Sequence, residues 1–283
     1  MDKLVESGRD VRVFDKVKPL RDDVEWYRGD LLNEKDLLEA CVDVEFVFHL
    51  AAIADVNITL SHPDLCLQIN ENGTLNLLKA ATAREIGRIV LASTTWVYGS
   101  MSGIVNEEMS IPAPDHLYTK TKIGQEHLVH SWNTQYGLPY TILRYDIPYG
   151  SRMRSNMVIA VFVRRILQGQ PITVFGDGEQ GRCFIYVEDL AEGSLAALKE
   201  EGRNETFNIA GGEFVTINQI IKNLRDLLGK IEVEHGPSRL SDFKGVVVNI
   251  RKAKEVLKWE PRTPFRTGLQ KYVAHVKGNT VRD

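Results

Sequence analysis

Residues 88–99 read RIVLASTTWVYG. Residues 88–93 make a strand candidate whose apolar core does not alternate with polar residues. Such a run is buried on both faces, which is the mark of a strand inside a parallel sheet covered by helices. It runs into hydroxyls, Ser93-Thr94-Thr95, and then into Trp96-Val97-Tyr98-Gly99. Outward from it the same alternation recurs. Strand candidates 11–15, 45–50, 140–144 and 172–175 are separated by helical patterns near 34–40, 63–85, 118–136 and 156–167. Short β runs interleaved with helix-length segments predict βαβ units and a mostly parallel α/β sheet. Pro63 suits the first turn of its helix, and Gly87 suits the turn before the next strand.

Beyond residue 150 the pattern loosens. Residues 172–181 are glycine-rich, 184–187 are short and β-like, and 188–199, 216–228 and 252–257 read as helices, with Pro261 and Pro264 punctuating the stretch after the last of these. The expected organisation is one domain over 1–150 and a smaller α+β lobe over 151–283, with some segments returning to the first domain. At the start, residues 2–7 followed by Gly8 read as the end of a helix with its cap. Residues 11–15 then read as the second strand of a βαβ unit. The expectation is therefore a doubly wound sheet lacking its first strand and glycine turn, as in a fragment, with weak cofactor binding and marginal stability. Gly176, Gly178 and Gly181 spell GxGxxG, but no helix opens on them, so they read as a glycine-rich loop.

Composition narrows the function classes. The chain has 283 residues, 26% charged and 43% hydrophobic, with 35 Lys plus Arg against 38 Asp plus Glu, for a formal net charge of -3. A near-neutral chain without basic blocks predicts no nucleic-acid partner. No apolar run approaches the ~20 residues that span a bilayer, so no membrane partner is expected. Three scattered cysteines (Cys41, Cys66, Cys183) fit neither a disulfide framework nor a zinc site, and a reducing cytoplasm is the simplest compartment. The histidines show no metal-ligand spacing.

The residues able to carry chemistry cluster at the strand ends. Tyr118 and Lys122 lie four apart at the start of a helical pattern, on one face. An adjacent ammonium favours the phenolate, which makes Tyr118 a candidate acid–base for a sugar or alcohol hydroxyl, with a surface Tyr and a solvated Lys as the bland alternative. Ser93 and Thr94 end a strand, where ligands of α/β sheets sit, or simply begin a turn. Asp15 closes strand 11–15 and either accepts adenosine ribose hydroxyls, favouring NAD, or makes a turn. Asp30 and Leu31 can bracket an adenine, and Leu50-Ala51-Ala52 end a strand with small side chains, beside a cofactor or against a helix. His49 reads as a core histidine or one behind the site. Asn70 either fixes backbone groups near the site or is an ordinary helix-interior polar residue.

In order along the chain stand VRVFD (11–15), GDL (29–31), FVFHLAA (46–52), NENGTLNLLKAA (70–81), LASTTWVYG (91–99), YTKTK (118–122), ILRY (142–145), GDGEQGRCFIYVEDLA (176–191) and FNIAGG (207–212). With these passages the sequence resembles the extended short-chain dehydrogenase/reductases, specifically the NAD-dependent epimerase/dehydratase group acting on nucleotide sugars. The resemblance implies a Rossmann-like cofactor domain with a C-terminal substrate lobe, NAD as cofactor, a nucleotide-diphosphate sugar as substrate, and a homodimer formed through the helices at 63–85 and 118–136. It implies Tyr118 as catalytic base, Lys122 on the nicotinamide ribose, Thr94 at the catalytic Ser/Thr position, and Ser93 and Tyr145 beside the cofactor. Arg182, Arg239 and Asp242 match contacts to the substrate diphosphate and ribose.

The reaction so implied is a UDP-hexose 4-epimerisation of the UDP-glucose/UDP-galactose type. It proceeds by reversible hydride exchange with C4 and a transient 4-keto sugar. Sugar dehydratases of the group carry Asp-Glu after the catalytic Thr, whereas Thr95-Trp96 stand here, which counts against elimination. A nucleotide-sugar dehydrogenase, reductase or decarboxylase shares the same apparatus, and a non-catalytic binding protein is the alternative from another class. The chain also departs from the group's pattern at Asp146, at Ile147 in place of a substrate-contacting Asn, and at Cys183 in place of an Asp.

Overall fold

The run at 88 forms the strand Arg88–Thr94, buried along nearly its whole length. In the computed structural model, which describes residues 1–238 and 244–280, this strand pairs in parallel with Phe46–His49, with Phe46 opposite Arg88 and His49 opposite Leu91. It is an inner strand of a four-stranded sheet ordered Glu205–Ile209, Tyr140–Tyr145, Arg88–Thr94, Phe46–His49. Strands Arg12–Asp15 and Glu25–Arg28 form a separate parallel pair. Among the described residues, neither Arg12–Asp15 nor Phe46–His49 has a second strand neighbour, and both are only partly buried where Arg88–Thr94 is sealed. The fold is a Rossmann-like parallel α/β core with a smaller C-terminal α+β lobe.

Contacts divide the chain into two compact units. One comprises residues 1–99, 111–144 and 194–207; the other comprises 100–110, 145–193 and 208–283. In the first, Leu37, Leu77, Leu78, Ala81 and Val129 from the helices Glu34–Ala40, Gly73–Ala83 and Leu117–Tyr136 close over Ile89, Leu91 and Ile142 of the sheet. Burial of this apolar surface, at about 25 cal/mol per Å², holds the layers together. Helix Leu117–Tyr136 ends at Gly137, whose φ of 72° is the left-handed conformation that a terminating residue without a Cβ adopts freely.

One continuous helix over 63–85 is not what forms. Pro63–Leu67 passes into a π-turn at Gln68–Asn72 before Gly73–Ala83 resumes. The extra residue lets the fully buried Asn70 clamp a neighbouring loop: its Oδ1 accepts from Ile53 N (2.8 Å) and its Nδ2 donates to Ile53 O (3.1 Å). Such turns concentrate at functional sites. Strands Glu25–Arg28 and Glu205–Ile209 and helices Val56–Ser61 and Phe265–Thr280 also form beyond the elements the pattern suggested.

In the second unit, strand Ile172–Phe175 pairs in parallel with Val233–Gly236. Helices Val158–Leu167, Ile217–Leu228 and Phe265–Thr280 pack Phe162, Val163, Ile220, Leu224, Phe265 and Leu269 around the core residues Tyr149 and Ile172. The GxGxxG stretch is a loop, as expected. Gly176 and Gly178 turn with φ near +74° and +76°, and a Cβ on Gly178 would lie 2.3 Å from Asn218 Oδ1. No helix among the described residues is long and apolar enough to cross a membrane.

Candidate active site

At its carboxyl end, strand Arg88–Thr94 places Ser93 and Thr94 under cover, 4% and 7% exposed. Thr94 Oγ1 accepts the Trp96 N–H (3.2 Å) and so caps a short 3-10 turn, Thr95–Tyr98. That leaves the Thr94 hydroxyl hydrogen free to donate elsewhere. Helix Leu117–Tyr136 opens with His116, whose ring nitrogen accepts the Thr119 N–H (3.4 Å). Its first turn carries the half-buried Tyr118. One turn on, Lys122 is only 3% exposed and its Nζ donates to Ala92 O (2.7 Å), next to Ser93. Helix and strand end are thus tied at the candidate acid–base pair.

Burial pushes the Lys122 ammonium down to about 8, against the opposing pull of Glu126. The group therefore stays cationic near neutrality while sitting close to its own titration. Around Tyr118 the walls are aromatic. Trp96 meets it edge-on at 6.3 Å between ring centroids, and Trp96 meets His116 at 5.1 Å in the same geometry. Burial also pushes His116 below the ordinary histidine range.

Behind the helix lies a buried polar network. Thr74 Oγ1 donates to Asn70 O and accepts from Gln125 Nε2 (2.6 Å), so the His49 Nε2 at 2.8 Å must be the donor to it. His49 is 3% exposed, and burial, reinforced by the charge of Lys122, pushes it down to about 3. It is a neutral core histidine. Asn70 Nδ2 also reaches Thr121 Oγ1 (3.0 Å), which itself donates to Tyr118 O (2.8 Å). Asn70 thereby fixes backbone groups beside Tyr118.

The other strand ends carry Asp15 and, just past Arg28, Gly29-Asp30. Asp15 is exposed, and its Oδ1 accepts the Val17 N–H (2.9 Å), closing a turn. Asp30 accepts from Leu32 N (3.1 Å) and pairs with Lys16 Nζ (2.7 Å), whose hydrogen bond is the first cause holding its carboxyl below the usual range. Leu31 is buried, Leu50 is 60% exposed, Ala51 is exposed and Ala52 half-buried. Among the described residues, no cluster of His, Cys, Asp and Glu could hold a metal ion.

In the second unit Tyr145 is half-buried and Arg182 lies in the two-residue strand opposite Val215. Its Nη1 donates to Gly181 O (2.6 Å). Asp146 is buried; its Oδ1 accepts from Ile147 N (2.8 Å) and its Oδ2 from Cys183 N (3.0 Å). The departures at 146 and 183 are thus linked: the carboxylate at 146 binds the backbone of the residue where an acid was expected. Arg239 and Asp242 lie outside the described residues.

Residues 1–210 match the sequence model of the NAD dependent epimerase/dehydratase family. The chain belongs to this family. It is a nucleotide-sugar enzyme of the epimerase/dehydratase type. The UDP-glucuronate 4-epimerase of Thermodesulfobacterium geofontis is 36% identical over 258 residues, covering 90% of this chain and 80% of that one. The structure of the UDP-glucose 4-epimerase of Thermotoga maritima with UDP-glucose superposes with a TM-score of 0.92 at 33% identity, covering 99% of this chain and 94% of that one. The UDP-glucuronic acid 4-epimerase of Bacillus cereus, in complex with UDP-glucuronic acid and NAD, gives a TM-score of 0.91 at 30% identity, covering 98% and 94%.

Sequence reading passed over Glu126, Arg144 and His116, which surround the candidate acid–base pair. Glu126 and Arg144 form a buried ion pair behind Ser93 (2.7 Å), and His116 and Trp96 wall Tyr118. Spacing already held one signal: Tyr118, Lys122 and Glu126 recur every four residues, a helical face bearing a charge where burial was expected.

Proposed function

We propose that this protein is an NAD-dependent UDP-hexose 4-epimerase of the UDP-glucose/UDP-galactose type. The observation that carries the reading is the buried, near-neutral-titrating Lys122 held one turn from Tyr118 at the hydroxyl-bearing strand end. The donor set fits the two ends of a dinucleotide. Asp15 and Asp30 offer carboxylate oxygens to an adenosine ribose, and Lys122 offers an ammonium to the other ribose. NAD supplies, when bound, the acceptance and return of a hydride at the sugar carbon.

The chain's own groups do the rest. Tyr118 removes the proton of the C4 hydroxyl and later returns it. The Thr94 hydroxyl, whose oxygen is fixed by the Trp96 N–H, donates its hydrogen to the same oxygen. Lys122 keeps a positive charge beside the phenol, which favours its ionised form. Trp96 stands where elimination needs a carboxyl; an indole N–H donates but does not shuttle a proton to a leaving hydroxyl. Positioning of sugar against cofactor supplies much of the remaining acceleration. Tyr145, Arg182, Arg239 and Asp242 are assigned to the nicotinamide pocket and to the substrate's diphosphate and ribose.

A second reading, UDP-glucuronate as substrate, is favoured by the identity to the Thermodesulfobacterium enzyme. Incubation with C4-deuterated UDP-glucose and UDP-glucuronate separates the two. Epimerised UDP-galactose that retains the label supports the proposal. Epimerisation of the uronate alone transfers the assignment, and release of carbon dioxide replaces it with decarboxylation. Tyr118→Phe is expected to lower turnover by about 10²–10⁴-fold, the range of general acid–base catalysis, with UDP-sugar affinity retained; unchanged turnover overturns the assignment. The partner is a second copy, through the helices at 63–85 and 118–136, where Leu65 is 41% and Tyr136 50% exposed. Three free, buried cysteines support a cytoplasmic location.

A further inference from the structure

The carboxylate of Glu126 is 2% exposed and the guanidinium-bearing Arg144 is 5% exposed. Arg144 grips it with two parallel hydrogen bonds, Nε to Oε1 (3.0 Å) and Nη2 to Oε2 (2.7 Å). Ser93 Oγ donates to the same Oε1. The remaining Arg144 nitrogen reaches the Tyr98 hydroxyl (3.2 Å), with the guanidinium carbon 5.3 Å from the centre of that ring. One buried pair therefore clips together the helix bearing Tyr118 and Lys122, the strand bearing Ser93 and Thr94, the turn after it and the strand Tyr140–Tyr145.

Glu126 lies one helical turn beyond Lys122, on the same face. A carboxylate with idle oxygens there would draw the ammonium along the helix, away from Tyr118. Here both oxygens are engaged, Oε1 by Arg144 and Ser93 and Oε2 by Arg144, and the ammonium donates instead to Ala92 O at the strand end. The carboxylate acts on it through space, without capturing it. The charged and titratable groups near Lys122 are Tyr118 and Glu126 on its own helix, Cys66 from Pro63–Leu67 and His49 from Phe46–His49, with Arg144 from Tyr140–Tyr145 paired to Glu126. His49 is neutral, and burial pushes the Cys66 thiol upward, so it is neutral too. Arg144 and Glu126 share one ion pair, and within it the carboxylate is the charge that holds the Lys122 titration up against burial.

We propose that the Glu126–Arg144 pair is a positioning pair for the acid–base machinery, holding Lys122 and Ser93 in register at the strand end. The proposal rests on the function assigned above, and its test is chosen to stand apart from that function. Removing both charges with Glu126→Leu/Arg144→Met keeps volume and leaves no orphaned charge, so folding is expected to survive. Glu126→Gln, nearly isosteric, is the second variant.

The first readout needs no turnover. The Lys122 titration is followed by its side-chain 13Cε resonance, assigned with Lys122→Met, and is expected to fall by about one pH unit or more in Glu126→Gln, the usual effect of losing a close opposite charge, and by less in the double variant, which removes both signs together. The second readout is the pH profile of UDP-sugar turnover. Its alkaline limb is expected to move down with the titration and kcat to drop at least tenfold, while KM changes less than threefold. Glu126→Asp, which keeps the charge, is expected to retain the limb.

A folded Glu126→Gln variant with the parent's Lys122 titration, or a folded double variant with the parent's kcat, overturns the proposal. So does loss of folding in both variants, because the pair would then hold the fold rather than the site. A parent chain that turns over no UDP-sugar, yet shows the shifted titration in the variants, overturns the functional reading and leaves the pair's action on Lys122 standing.

Discussion

His49 shows how one residue's surroundings become a property of the whole protein. Its ring is neutral in the fold and bonded to Thr74, while in the unfolded chain it titrates near 6.5. A depressed folded value means that the unfolded state binds the extra proton first. Stability from this site is therefore complete above 6.5 and is lost as pH falls toward about 3. The expected slope is about 1.4 kcal/mol per pH unit over that window. Chemical denaturation at pH 7, 6 and 5 measures it, and His49→Gln is expected to flatten the dependence. Asp146 makes a second case. Asp146→Ala leaves the Cys183 N–H buried without its carboxylate, and a loss of about 1–3 kcal/mol is expected in urea unfolding. Sequence alone showed Asp146 and Cys183 as two separate oddities. Their pairing is a matter of proximity between residues 37 apart, which no local pattern encodes.

At the scale of elements, the strands whose apolar runs are continuous were legible, because burial on both faces leaves no other composition for them. Arg88–Thr94 and Ile172–Phe175 begin where the runs begin. Glu25–Arg28 was not legible, since its sequence EWYR is charged at both ends and owes its conformation to pairing with Arg12–Asp15. The break in the helix at 63–85 was equally hidden. Helical periodicity continues through Gln68–Asn72, and only the demand of Ile53 for the side chain of Asn70 makes the wider turn worthwhile. Helix starts are better marked. Thr216 and Gln219 form a reciprocal capping box on Ile217–Leu228, so Thr216→Ala is expected to cost about 1 kcal/mol, read as a lowered thermal midpoint with unchanged far-ultraviolet ellipticity at 20 °C.

For the molecule as a whole, the chain passes more than once between its two units, with residues 100–110 in one and 111–144 in the other. Each unit has a hydrophobic core of its own. NAD, assigned mostly to residues of the first unit, and the UDP moiety, assigned to residues of the second, should then protect different segments. NAD is expected to slow amide exchange at 91–98 and 117–126, and UDP to slow it at 176–186. Uniform protection by either ligand would contradict that division. Saturation with NAD at 100 times its Kd is expected to raise stability by about 2.7 kcal/mol.

Sequence by itself determined the class of fold and the helical face shared by Tyr118 and Lys122, which depend on periodicity and on spacing along one chain, and the ordered motifs from VRVFD to FNIAGG carried the resemblance to the family. The tertiary structure alone decided what surrounds them. The Glu126–Arg144 clip, the neutral state of His49 and the bond from Asp146 to Cys183 each depend on residues far apart along the chain. Their energetics come from removing charged and polar groups from water, and burial of that kind exists only once the elements have packed.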